Sequence, residues 1–162
     1  MKITMQLSDI SIDETIAKLE AYRNSLEAKA KLLCERLANI GQFNAQISFA
    51  SVIYDGDKDF DVTVEETEKG FKVLASGETV LLLEFGAGIT YGYGHPLADD
   101  FGMGPGTYPN GKGWWKSPYG WWLPKSKGGG HTWGNAPGMP MYYAAKDIRA
   151  VVEDVAREVF AT

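Results

Sequence analysis

Ile40-Gly41-Gln42-Phe43-Asn44-Ala45-Gln46-Ile47-Ser48-Phe49 is where the periodicity of the chain changes. Upstream, Ile12, Ile16, Leu19, Tyr22, Leu26, Ala30, Leu33, Leu37 and Ile40 recur at three- and four-residue steps, one apolar stripe along a helix. Glycine is a natural helix stop, so this helix is expected to end at Gly41. Downstream, Ile47 and Phe49 alternate with Gln46 and Ser48, the two-residue period of a half-buried strand. The same period returns in Phe60, Val62 and Val64, and again in Phe71, Val73 and Ala75 after a turn around Lys69-Gly70. Val80-Leu81-Leu82-Leu83 is a short apolar run that fits either strand or helix. From Ala45 to Phe85 the expectation is an antiparallel meander.

Working outward, Ser11-Ile12-Asp13-Glu14 matches a capping box, which places the start of the first helix there. From Ile12 to Ile40 that helix would be a rod of about 43 Å, long enough to overhang the core or pack against a neighbour. Met1, Ile3, Met5 and Leu7 alternate with polar residues and read as a first strand rather than a signal peptide. At the other end Pro140 can open a last helix, with Met141, Ala145, Ile148, Val152, Val155 and Val159 on its apolar face. The fold class is therefore α+β: an antiparallel β-meander packed with a long N-terminal helix and a C-terminal helix, in one domain spanning residues 1–162.

One long segment stands outside this pattern. Residues 86–135 hold all 5 tryptophans, both histidines and 14 of the 19 glycines. Its periodicity suits neither helix nor strand, and a loop of that length inside a compact domain is usually functional or disordered. Linkers are polar, whereas this loop carries Tyr91, Tyr93, Tyr108, Trp114, Trp115, Tyr119, Trp121, Trp122 and Trp133. Trp and Tyr are the usual anchors of protein interfaces, so these residues are the expected partner-binding surface. Residues 91–127 are expected to pack poorly in a free subunit and to order against a partner.

Charge and cysteine content narrow the options. Of the formal net charge of −5, residues 1–85 carry 9 basic and 15 acidic groups, a net −6, while residues 86–135 carry a net +2. An acidic body lacks the basic stripe of a dedicated duplex binder, so no sequence-specific DNA binding is expected. The single Cys34 can make no internal disulfide. There is no run of 18 apolar residues, hence no expected membrane span.

Candidate chemical sites are sparse. Asp55, Asp57, Asp59 and Asp61 alternate through a turn, with Glu66 where a calcium loop would place its bidentate ligand. Phe60 stands at the position that such a loop reserves for glycine, so a solvated hairpin tip is the better reading. His95 and His131 lack ligand spacing for zinc, and Cys34 has no visible orienting group or oxyanion hole. No catalytic, metal or cofactor site is expected. Two other classes remain open. The tryptophans could stack on sugars or single-stranded nucleic acid, with Lys112, Lys116, Lys125 and Lys127 adding phosphate contacts. A small hydrolase would use His131 with Asp99 or Asp100.

Two short motifs flank the loop: Leu83-Glu84-Phe85-Gly86-Ala87-Gly88 upstream, and His131-Thr132-Trp133-Gly134-Asn135-Ala136-Pro137 running through Pro140 into the last helix downstream. This pairing resembles the tailed-bacteriophage minor proteins of the head–tail joining and tail-completion family. There a Glu-Phe-Gly-Thr-Gly-like element precedes a variable loop and a His-x-x-Gly-x-x-Pro-x-x-Pro segment follows it. Ala87 stands in place of the usual threonine, and Tyr143 where proline is common. The resemblance implies a non-enzymatic structural protein of the virion neck, assembled in the host cytoplasm. It would form a homo-oligomeric ring, a hexamer among the expected sizes, against connector or adaptor and tail-tube or tail-terminator proteins. Closed rings need heterologous contacts, which a long inserted loop can supply. Glu84, Phe85, Gly86, Gly88, His131, Gly134, Pro137 and Pro140 are then the loop anchors. Glu84 in particular is placed to accept backbone amides or His131 and so to clamp the loop's two ends.

Overall fold

The first helix passes straight through Gly41. In the computed structural model, which describes residues 9–104 and 117–161, α1 runs from Asp9 to Ser51, 43 residues, or about 65 Å. It is already helical at Asp9, so Ser11 lies inside the helix and the expected capping box is not its start; the Ser11 carbonyl instead accepts from Thr15 Oγ1 at 2.7 Å. The expected first strand, Met1–Leu7, lies outside the described residues.

Why Ala45–Phe49 is helix rather than strand follows from what is buried. Ala38, Gly41, Ala45 and Phe49 are spaced three, four and four apart and are all buried, whereas Ile47 is 52% exposed. The helical spacing wins because it carries the contact with the last helix, α4 (Pro140–Ala161). Gly41 is a site of close approach and not a stop: a methyl group added there would stand 2.5 Å from Ile148 Cδ1. The two helices run antiparallel, with Arg36 against Glu158 at 3.6 Å and Asn44 Nδ2 donating to Asp147 at 3.2 Å.

Against these helices lies a hairpin, β1 (Asp61–Thr67) and β2 (Gly70–Ser76), in the register Val62↔Ala75 and Val64↔Val73. Both strands fall where the two-residue period placed them. The expected meander shortens to this hairpin among the described residues, because Ala45–Phe49 is helical and Val80–Phe85 forms the short helix α2. Phe49 stacks on Phe60 with centroids 5.2 Å apart, and Ala45, Phe49, Val62, Val80, Leu83 and Ala144 form the core. On α4 the buried face is Pro140, Ala144, Val155 and Val159, with Val152 turned outward at 41% exposure. The α+β class stands.

The acidic stretch is not a hairpin tip. It joins α1 to β1, and its carboxylates point to different tasks. Asp59 Oδ2 accepts the Glu78 amide at 2.9 Å, and the Asp59 carbonyl accepts from Thr79 Oγ1 at 2.7 Å, which fixes the turn into α2. Asp55 accepts from Thr132 Oγ1 at 2.6 Å, and Glu66 pairs with Lys31 at 2.6 Å. Among the described residues no group of three or more His, Cys, Asp or Glu is placed to hold a metal, and no helix is long and apolar enough to cross a membrane.

Candidate functional site

α2 delivers Glu84 into the interior, where only 8% of its side chain is exposed. Its two oxygens do the work of a helix cap. Met139 is the residue before α4, with φ +55 and a carbonyl that accepts the Tyr143 amide at 2.9 Å, but a methionine side chain cannot accept from the orphan amides of the first turn. Pro140 occupies the first helical position, where its missing N–H costs nothing. Glu84 Oε2 then accepts the Met141 amide at 2.8 Å and Oε1 accepts the Tyr142 amide at 3.0 Å. A carboxylate from a distant helix thus supplies the acceptors and the negative charge that a helix N-terminus favours.

Glu84 does accept backbone amides, but its histidine is His95 and not His131. His95 Nε2 lies 3.0 Å from Glu84 Oε1, and His95 Nδ1 accepts the Leu97 amide at 3.1 Å. With Nδ1 accepting, the tautomer that completes both bonds carries its proton on Nε2 and donates it to Glu84. The imidazole packs against Phe85, centroids 4.2 Å apart, and edge-on to Tyr142 at 5.7 Å.

Next to this cluster the two flanking motifs meet. Ala87 and Asn135 exchange both backbone bonds, at 2.8 and 3.1 Å. Asn135 Nδ2 donates to the Leu82 carbonyl at 2.8 Å, and the amides of Gly138 and Met139 donate to the carbonyls of Leu83 and Glu84. Gly134 has φ +95, and a Cβ there would stand 2.0 Å from the Ala87 carbonyl oxygen; at Gly86 and Gly88, also at positive φ, a Cβ would stand 2.7 Å from the Pro137 nitrogen and 2.6 Å from the Trp133 carbonyl oxygen. Of the anchors predicted on either side of the loop, Glu84, Gly86, Gly88 and Gly134 meet at one clamp with Pro137 and Pro140 on its return limb, whereas His131 lies outside it, between Trp122 and Trp133.

Beyond the clamp, the described parts of this segment, 86–104 and 117–135, are more structured than their composition suggests. They contain α3 (Gly88–Tyr91), 3-10 turns at Asp99–Phe101 and Lys125–Lys127, and a two-residue ladder of β3 (Trp121–Trp122) with β4 (His131–Thr132). Trp121 lies half-buried over Gly88, and Thr132 is buried on Asp55. On the outer side His131 sits between Trp122 and Trp133, each ring 5.2 Å away and edge-on, while its Nε2 lies 2.8 Å from the Tyr119 carbonyl. Trp122 and Tyr119 are 76% and 78% exposed, and Trp133, Tyr91 and Tyr93 are exposed as well. Tyr108, Trp114 and Trp115 lie outside the described residues, as do Lys112 and Lys116.

A cleft of about 1000 Å³ opens beside this aromatic surface, lined by Tyr54, Leu82, Tyr119, Trp121, Trp122 and Lys127. Lys127 is paired with Glu78. The hydrogen bond to Glu78, and then its charge, hold the Lys127 ammonium above the usual lysine range. Asp99 and Asp100 sit in their own exposed turn and make no hydrogen bond to His131 among the described residues. Cys34 is exposed on α1, away from both imidazoles.

Sequence reasoning missed His95, Asp55 and Asp59 as holding residues. Only the position of Glu84 at the end of an apolar run hinted that its partner would be buried. No protein-family model, curated sequence or solved structure matches the chain.

Proposed function

We propose that this chain is a structural protein of a tailed phage or prophage, acting at the head–tail junction as a ring-forming joining or tail-completion subunit. The observation that carries the reading is the clamp. The two motifs that resemble that family, separated by the long aromatic segment, are tied to each other by the Ala87–Asn135 bridge and to α4 by Glu84. A clamp of this kind fixes where the excursion leaves and re-enters the body, and it presents Tyr119, Trp122 and Trp133 outward. Exposed aromatics on a fixed support are what an interface uses as anchors. The partners would be further copies of the chain together with connector and tail proteins, and the site of action the virion neck.

Purified subunits should assemble with virion components into a species whose mass is a multiple of 17.8 kDa. Antibody labelling of purified particles should decorate the neck or tail end. Absence of the protein from purified virions overturns the reading.

A second reading is favoured by one observation, the Trp122–His131–Trp133 stack beside an open cleft. Such a surface can stack on sugar rings or unpaired bases. The pairing of Lys127 with Glu78 removes one cation from phosphate contact and tilts this alternative toward neutral sugars. Quenching or enhancement of tryptophan fluorescence by oligosaccharides, with no assembly, would select it.

A further inference from the structure

From Ser11 to Leu37 no residue of α1 is buried. Among the described residues the body stops short of this end: Glu66, near the hairpin tip, meets Lys31, and Glu158, in the last turn of α4, meets Arg36. Residues 9–30 therefore extend past the hairpin and α4 by about 33 Å of helix.

The extension is not polar. Lettered as heptads, it has Ile12, Leu19, Leu26 and Leu33 at d and Ile16, Arg23 and Ala30 at a, an apolar seam interrupted at Arg23, where the stripe passes through Tyr22 instead. Ile16, Leu19 and Leu26 are 49%, 50% and 38% exposed. A projecting helix of this length is marginal in water without packing of its apolar face, and a sustained 3.5-residue period specifies pairing with another helix of the same period.

We propose that residues 12–33 of α1 pair with the same residues of a second copy of this chain, as a parallel, in-register, two-stranded coiled coil. The residues choose this arrangement. A polar residue at a single a position specifies register and oligomer state at some cost in stability. Arg23 is that residue, and Glu27 of its own chain lies 3.7 Å away to balance its charge. Charge sets the direction. An antiparallel pair would bring the acidic e positions, Asp13, Glu20 and Glu27, against one another, whereas a parallel pair sets Thr15 opposite Glu20 and Tyr22 opposite Glu27 of the second copy. The seam is modest in size: at roughly 50–90 Å² for each seam residue from Ile12 to Leu33, two helices cover about 700–1250 Å², at the low end of specific interfaces. The pairing goes beyond the neck reading and does not depend on it.

Cysteine cross-linking on the full chain tests this. In a Cys34→Ala background, Leu26→Cys should oxidise readily to a covalent dimer, because equivalent d positions face each other in a parallel pair. A tagged Ile16→Cys chain mixed with an untagged Leu26→Cys chain should give no mixed cross-linked dimer, because in a parallel pair each seam position faces only its own counterpart. A mixed dimer would mean an antiparallel pair and overturn the proposal. Leu19→Glu/Leu26→Glu should halve the sedimenting mass while circular dichroism still reports the folded body. An unchanged mass, or a wild-type chain that sediments as a monomer at micromolar concentration, overturns it too. Replacing Trp122 and Trp133 by alanine should leave the cross-link intact, which separates this contact from any made by the aromatic surface.

Discussion

Glu84 and His95 meet 3.0 Å apart in the interior, and the same carboxylate receives the amides of the second and third residues of α4. Truncating Glu84 to alanine strands three donors at once. Hydrogen bonds to a charged group contribute about 1.5–3 kcal/mol each and do not add fully, so Glu84→Ala should cost about 3–5 kcal/mol in a denaturant titration. Glu84→Gln keeps one acceptor oxygen and should lose less. A loss below about 1 kcal/mol for the alanine variant would mean that water replaces the carboxylate, and that the clamp is not set by Glu84.

Gly134 should tolerate no side chain. Alanine there meets the Ala87 carbonyl at 2.0 Å on top of an unfavourable φ of +95. Gly102 provides the contrast, with φ +63 and open space around it. Left-handed backbone alone costs an L-residue about 1–2 kcal/mol, so Gly102→Ala should lose about that much. Gly134→Ala should lose clearly more, by about 2 kcal/mol, and should expose the bridge amide of Ala87 to hydrogen exchange. Equal losses at the two sites would sink the claim.

The outer aromatics should matter for association and hardly for folding. Tyr119→Ala and Trp122→Ala remove side chains that are largely in water, and Trp133→Ala one that is 48% exposed. The combined variant is expected to keep a melting temperature close to wild type and to fail in assembly with virion components. Phe49→Ala, at a fully buried site, should by contrast cost about 3–5 kcal/mol. A comparable drop from the surface variant would place these rings in the subunit's own core.

Lys127 gives a pH signature with a definite sign. Its ordinary value is 10.5 and its partner Glu78 raises it. A raised lysine stabilises the fold fully below 10.5 and loses that contribution as pH climbs through the raised value. The melting temperatures of wild type and Lys127→Met should therefore converge on the alkaline side, from about pH 10.5 upward. High salt should shrink the same gap near neutrality. A gap that widens with alkalinity would contradict the pairing.

Much of the architecture could be read from spacing. The stripe from Ile12 to Ile40, the alternation in β1 and β2 and the proline that opens α4 all report local periods, which neighbours in sequence largely decide. The misreading at Gly41 shows the limit of that method. Ala45, Ile47 and Phe49 satisfy a two-residue step, yet Ala45 and Phe49 also satisfy a four-residue one, and only contact with α4 chooses between them. Glycine compounded the error, since close approach of two helices and the end of one both call for it. At the clamp the motif residues were visible, but the partner of Glu84 was not. His95 and His131 are equally plausible acceptor or donor partners in one dimension, and the path of the intervening backbone decides between them.

The doorway formed by Ala87 and Asn135 has a bearing on how such a chain can vary. The two ends of this excursion already touch, and His95, Trp121, Lys127 and Thr132 tie its course back to Glu84, Gly88, Glu78 and Asp55. Doubling the length of a flexible closed segment costs only about 0.6 kcal/mol, far less than disturbing Gly134 or Glu84. Insertion between those ties would alter the surface presented while the frame around it kept its shape.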